Sequence, residues 1–151
     1  KDLTIVGSSY MVLEALRASD WLDENGINCE IINNHSLRPI DWETIESSVS
    51  RTGRLLILDT GNPICSMASE IAATTAERCW SKLKSPPQRL SLPDAPSPTS
   101  FGLTKEYYPG ASSIAEIGFE ICNQRQVNAA ALKPLERAPH DVPGNWFKGP
   151  F

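Results

Sequence analysis

Five polar side chains stand where this sequence could do chemistry. His35, Arg38 and Asp41 fall together in the stretch Ile31-Ile32-Asn33-Asn34-His35-Ser36-Leu37-Arg38-Pro39-Ile40-Asp41-Trp42-Glu43-Thr44-Ile45. An imidazole and a guanidinium just after an apolar strand could meet an anionic substrate or a partner's carboxylate. The plainer reading of a lone loop histidine is that it is solvated. Pro39 fixes its own φ and pushes Arg38 towards extended geometry. Asp41 is placed to cap the free N–H groups of the following helix, with Glu43 and Glu46 near its positive end. Asp59 opens Asp59-Thr60-Gly61-Asn62-Pro63 at the carboxyl end of a third apolar run, the edge where open α/β sheets bind ligands. It could act as a base or bind a hydroxyl, or simply hydrogen-bond its own turn. Glu70 falls near the start of a later helix, where it balances the helix dipole or caps a neighbouring chain's backbone. Gly7-Ser8-Ser9 follows a strand and opens a helix, so its N–H groups could hold phosphate. It is neither Gly-x-Gly-x-x-Gly nor a Walker A loop, and capping by Ser8 or Ser9 is the plainer reading.

Other chemistries find little support. No Gly-x-Ser-x-Gly elbow exists, and His140 lies in a Pro-rich tail, so no Ser-His-Asp order can be assembled. The cysteines Cys29, Cys65, Cys79 and Cys122 show no Cys-x-x-Cys spacing, and only His35 and His140 could join them. That disfavours zinc and reads as buried free thiols in a reducing compartment. The net charge of -4, with no basic stripe, argues against nucleic acid. No apolar run is long enough to span a membrane. The expected location is the cytoplasm, or the mitochondrial matrix in a eukaryote.

The elements that must position these residues follow from hydrophobic periodicity. With 151 residues, 40% hydrophobic and 21% charged, the chain can bury a single core. Leu3 to Val6 reads as a buried strand, followed by a helix with Val12, Ala15, Leu16, Ser19 and Leu22 on one face and Gly26 at its left-handed end. Cys29 to Ile32 is the second strand, with Asn33-Asn34 read as loop, and Asp41 to Ser50 the second helix. Leu55 to Leu58 is a continuous apolar strand suited to a parallel sheet covered on both faces. A helix from Met67 to about Trp80 and a strand from Gln88 to Leu92 complete the alternation. A last helix carries Ile114, Ile117, Gly118 and Ile121. Strand and helix alternate, which predicts an α/β fold: a three-layer α/β/α sandwich around a mainly parallel sheet of four to five strands. We divide the chain into a domain over 1–132 and a Pro- and aromatic-rich tail over 133–151. Trp146, Phe147 and Phe151 in that tail should pack on their own domain or on a partner.

In order and spacing these segments resemble the C-terminal domain of the transketolase-like, thiamine-diphosphate-dependent enzymes, above all the beta subunit of pyruvate and branched-chain 2-oxoacid dehydrogenases. The likeness runs through Asp2-Leu3-Thr4-Ile5-Val6-Gly7 with Met11-Val12-Leu13-Glu14-Ala15-Leu16, and through Ile31 to Ile45 with its Leu-Arg-Pro-hydrophobic-Asp step. It continues in Ser48-Val49 and Arg51-Thr52-Gly53-Arg54 leading into Leu55 to Asp59, then in Met67 to Ala73, Leu92 to Pro98 and Tyr107-Tyr108-Pro109. It covers roughly Asp2 to Cys122. Where Cys65-Ser66 and Ala68 stand the family has glycines, and it has Leu at Asn34, so the loop after the third strand is expected to differ in shape. The tail after Leu132 matches no part of the family.

The resemblance implies a helper domain with no catalytic, cofactor-binding or metal-binding residue of its own. Thiamine diphosphate and magnesium would sit in another domain or subunit, and the activating glutamate in a preceding pyrimidine-binding domain. A chain that enters a strand this abruptly, without an initiating Met, reads as cut from something longer. The domain would support a homodimer, or a heterotetramer with the thiamine-diphosphate-binding subunit, and frame a substrate funnel. It would also dock an acyltransferase core protein, with His35, Arg38, Asp41, Asp59 and Glu70 as interface or funnel residues. The family's first, antiparallel strand would lie before Lys1, leaving an open sheet edge prone to self-association. Two alternatives stand beside this: a free-standing interaction module using the aromatic tail, and a small flavodoxin-like ligand binder using Ser8, Arg38 and Asp59.

Overall fold

The computed structural model describes residues 1–149. Strands β1 (Leu3–Gly7), β2 (Cys29–Asn33), β3 (Leu55–Leu58) and β4 (Gln88–Leu90) form one sheet in the order β2-β1-β3-β4, with every pair parallel. Helices α1 (Tyr10–Glu24), α2 (Trp42–Thr52), α3 (Met67–Cys79) and α4 (Ala111–Asn123) cover it, and a short α5 (Ala129–Leu132) follows. The period-2 alternation of strand side chains divides the core in two. Leu3 and Ile5 of β1 with Leu56 and Leu58 of β3 face α1 and α4, while Val6, Leu55 and Ile57 face α2 and α3. This is the expected three-layer sandwich. Among the described residues no helix is long and apolar enough to cross a membrane.

The local signals act as their chemistry dictates. Asp41 caps α2 by accepting the Thr44 N–H at 3.1 Å, and Ser66 caps α3 by accepting the Ser69 N–H at 3.2 Å. Gly26 adopts a φ of 80° after α1. On the α2 side, the buried Thr4 hydroxyl lies 2.8 Å from both Ser48 Oγ and Thr52 Oγ1. Strand and helix are joined there by hydroxyls rather than methyls.

Four expectations need correction. The buried arc of α1 is Met11, Val12, Glu14, Ala15, Ala18 and Leu22, whereas Leu16 is 48% exposed and Ser19 only half-buried. The arc turns because α1 is wedged between the sheet and α4, which moves its contact line. Asn33 belongs to β2, paired with Gly7, and Asn34 is buried with its N–H donating to the Gly7 carbonyl at 2.8 Å. The sheet register extends past the last apolar residue because backbone groups pair regardless of side chain. Ser9 precedes α1 at a φ of 51° but makes no side-chain cap. Instead the Met11 and Val12 N–H groups donate to the Ser8 and Ser9 carbonyls. Cys29 and Cys122 are only half-buried and Cys65 is exposed, leaving Cys79 as the buried thiol among these free cysteines.

The tail folds back onto the domain. Leu135 joins Leu132 in the core between sheet, α1 and α4, and Trp146 and Phe147 pack on Tyr10. Phe151 lies outside the described residues.

Candidate functional site

The chain turns from β1 to β2 on one side of the sheet and from β3 to β4 on the other. The crevice between the carboxyl ends of β1 and β3 is therefore the switch point where such sheets hold ligands. The corner at Asp59 and Thr60 divides it. One pocket of about 180 Å³ includes Gly7, Ser8, Asn34 and Ala68 in its lining. The other, about 230 Å³, lies between Tyr10, Met11, Leu92, Tyr108 and the tail residues Val142 and Pro143.

Asp59 holds the corner rather than offering a base. Its Oδ1 accepts the Gly61 N–H at 2.8 Å and its Oδ2 the Ala68 N–H at 3.1 Å, tying the loop to the first turn of α3. Cys65, in the same loop, has a φ of 54°, the left-handed region that favours glycine. His35 and Asp41 line an open depression of about 530 Å³ along the outer side of β2. Hydrogen bonds from the Thr44 hydroxyl and N–H hold the Asp41 carboxyl below its ordinary pKa. Arg38 is exposed and joined to Pro39 by a cis peptide bond. Glu70, exposed in the first turn of α3, accepts from the Thr74 hydroxyl at 3.2 Å. Thus His35 and Asp41 share a surface, while Asp59 and Glu70 lie apart from it on the β3–α3 connection.

A denser polar cluster, missed in the sequence, sits beside the 230 Å³ pocket. Glu14, fully buried, accepts from the Tyr10 hydroxyl, from Arg17 Nη1 at 3.0 Å and from the Ala111 N–H at 2.7 Å. Arg17 Nη2 also donates to the Leu135 carbonyl at 3.1 Å, and Arg137 Nη2 to the Tyr108 carbonyl at 3.0 Å. Arg137 Nη1 reaches the Tyr10 hydroxyl at 3.5 Å. Burial, reinforced by the Glu14 carboxylate, pushes the Tyr10 hydroxyl up to about 12. The only available signal was helical phase, since residue 14 lies on the arc between Met11 and Ala18. Arg137 gave none, because its partners are far away in sequence, whereas Trp146 stood out as an aromatic in a Pro-rich tail without showing what it would meet.

The arrangement positions and binds rather than attacks. Burial pushes the Cys29 thiol up to about 12 and raises Cys79 and Cys122 as well, so these are poor thiolates at neutral pH. His140 Nε2 lies 3.0 Å from Thr104 Oγ1, but Thr104 Oγ1 itself donates to the Phe101 carbonyl at 2.8 Å. That pair closes a turn. Among the described residues no group of three or more His, Cys, Asp or Glu side chains could hold a metal ion.

Comparison with known proteins places this geometry. The family described as transketolase, C-terminal domain, matches residues 1–114. The chain is 35% identical over 127 residues to the acetoin:2,6-dichlorophenolindophenol oxidoreductase subunit beta of Bacillus subtilis strain 168, covering 84% of this chain and 37% of that protein. It is 38% identical over 122 residues to the mitochondrial pyruvate dehydrogenase E1 component subunit beta-1 of Arabidopsis thaliana, covering 81% and 34%. The corresponding subunit of Chaetomium thermophilum is 39% identical over 117 residues, covering 77% and 31%. The chain thus spans about a third of the length of these relatives. A solved split-gene transketolase, an inactive beta4 tetramer, superposes with a TM-score of 0.70 at 24% identity, covering 81% of this chain and 39% of that one.

Proposed function

The chain belongs to the transketolase C-terminal domain family, and we propose that it serves as the C-terminal domain of a thiamine-diphosphate-dependent beta subunit acting on a 2-oxoacid or on acetoin. The observation that carries this reading is the match of 1–114 to that family, with beta subunits as relatives. In this role the domain is a helper. It supports subunit association, frames one side of a substrate funnel with its carboxyl edge, and docks an acyltransferase core. The net charge of -4 suits a basic docking domain. The half-exposed Leu13 and Leu16 on α1 offer apolar contact. The compartment is the cytoplasm, or the matrix in a eukaryote.

Thiamine diphosphate with magnesium would be held elsewhere in the parent assembly. This chain's residues do not fit it: the Met11 and Val12 N–H groups at the start of α1 are taken by the Ser8 and Ser9 carbonyls, and no carboxylate cluster suited to magnesium occurs among the described residues. No step of the reaction is assigned to this chain.

The test is an assay of pyruvate- or acetoin-dependent reduction of dichlorophenolindophenol with added thiamine diphosphate and magnesium. The chain alone should give no turnover. The same chain assembled with a pyrimidine-binding segment and its thiamine-diphosphate-binding subunit should give it. Turnover by the chain alone would overturn the helper role.

A further inference from the structure

The segment after Arg137 crosses the carboxyl edge of the sheet and is fastened at two points. Near its start, the His140 and Phe101 rings lie 4.3 Å apart, and His140 Nε2 is 3.0 Å from the Phe101 carbonyl. Near its end, Trp146 stacks on Tyr10 at 5.9 Å with 23° between the planes, and the Arg17 guanidinium lies 4.7 Å from the Trp146 ring. Between these fastenings, Asp141, Val142 and Pro143 line one side of the 230 Å³ pocket. All three are exposed, as are Ala138 and Pro139, so the segment buries little of itself beyond its ring anchors. Few buried contacts and ring anchors at the surface are the marks of a region that opens locally without unfolding the domain.

Beneath it the chemistry is specific. Met11, Leu92 and Pro109 supply apolar walls. Arg137 is held to the body by the Tyr108 carbonyl and the Tyr10 hydroxyl, so it stays when the segment lifts. Arg17 already matches the Glu14 charge, and Arg137 keeps N–H donors to spare for an anion that enters beside it. Asp59, the other charged group of the body at this pocket, is turned to the Gly61 and Ala68 N–H groups, and Asp141 travels with the segment. We infer that residues 138–149 form a displaceable strap, and that latched it closes a pocket for a small apolar monocarboxylate paired with Arg137. This does not depend on the role proposed above, since it concerns only groups within the chain.

The experiment uses the full chain. Hydrogen exchange should release amides of 141–147 well ahead of those in α1 and α4; equal protection would overturn the strap. Brief digestion with a protease that cuts on the amino side of aspartate, read by mass spectrometry, should cut His140–Asp141 about tenfold faster in Trp146→Ala than in the native chain, with Trp146→Phe close to native because a ring restores the anchor. An unchanged rate in Trp146→Ala would also overturn it. For the ligand, benzoate is compared with its neutral isostere benzamide by saturation-transfer NMR. Benzoate should bind at least about tenfold tighter, as a charge-assisted bond to a guanidinium requires, and should slow the cut at His140–Asp141. Equal binding, or none by either at millimolar concentration, would overturn the assigned ligand class.

Discussion

The Glu14 carboxylate receives the Ala111 backbone N–H at 2.7 Å, across 97 residues of chain. A side chain in the middle of α1 thereby satisfies one of the orphan donors at the start of α4, where the capping position is Gly110 and has no side chain to offer. The same carboxylate holds Arg17 and Tyr10, so one buried charge fastens two helices and the approach to the tail.

Removing that charge takes the shared acceptor from three donors, the Tyr10 hydroxyl, Arg17 Nη1 and the Ala111 N–H. Glu14→Ala should lower stability by about 3–5 kcal/mol, the range for breaking a buried pair from one side. Glu14→Gln retains an acceptor and should cost less. Urea denaturation followed by circular dichroism measures both, and equal, small losses would show that the cluster is not fastening α4.

Gly118 marks where α4 comes closest to its neighbours. A Cβ there would lie 3.0 Å from Leu22 Cδ1 and 3.1 Å from Leu3 Cδ2, both fully buried. Alanine gains about 1 kcal/mol in helix propensity, but overpacking a well-filled core costs about 1–3 kcal/mol. Gly118→Ala should therefore be net destabilising by about 1 kcal/mol, read as a lower melting temperature.

Thr4→Val keeps the shape of the side chain and removes its hydroxyl from Ser48 and Thr52. Thr52 retains the Arg54 carbonyl at 3.1 Å, and Ser48 retains its hydrogen bond to the Glu30 carboxylate. No polar group is stranded, so the expected cost is about 0.5–1.5 kcal/mol, the net worth of an ordinary hydrogen bond. Urea denaturation measures it, and a loss well beyond that range would show that the hydroxyl cluster acts as one unit.

Tyr10 provides a spectroscopic check. Its hydroxyl is pushed up to about 12, chiefly by burial and then by Glu14. Because the folded value lies above the unfolded one, this contribution to stability is complete below about pH 10. It fades as pH climbs towards 12. Ultraviolet titration should show a late tyrosinate component that disappears in Tyr10→Phe; an unchanged curve would contradict the buried pair with Glu14.

At the sheet edge, Arg51 Nη2 sits 2.7 Å from both oxygens of Glu30. That bond holds the Glu30 carboxyl below its ordinary value of 4.5. A depressed carboxylate stabilises the fold above its unfolded pKa, and the effect vanishes as pH falls through the folded one. Being exposed, the pair is worth only about 0.2–1 kcal/mol. Arg51→Gln should show that difference at pH 7 in low salt, and none in strong acid or in high salt.

Much of this molecule is decided locally. Leu55 to Leu58 has nowhere to go but a buried parallel strand, and Asp41 caps its helix because the acceptor and the free N–H groups are three residues apart. The alternation of strand and helix, and the order of segments from Asp2 to Tyr108 that carries the family likeness, depend on nothing beyond neighbouring residues. The phase of α1 was not decided locally. Its sequence allows a stripe through Leu16 as readily as one through Ala18, and the approach of α4 chooses the latter and buries Glu14. The functional expectations divide in the same way. Asp59 reads as a candidate base or a turn residue until the fold brings the Ala68 N–H to its second oxygen, and Trp146 reads as an aromatic that must pack somewhere until Tyr10 and Arg17 meet it. Periodicity and capping act over a few residues and are written in the chain; a charge buried against a helix 97 residues away is set only when the layers close.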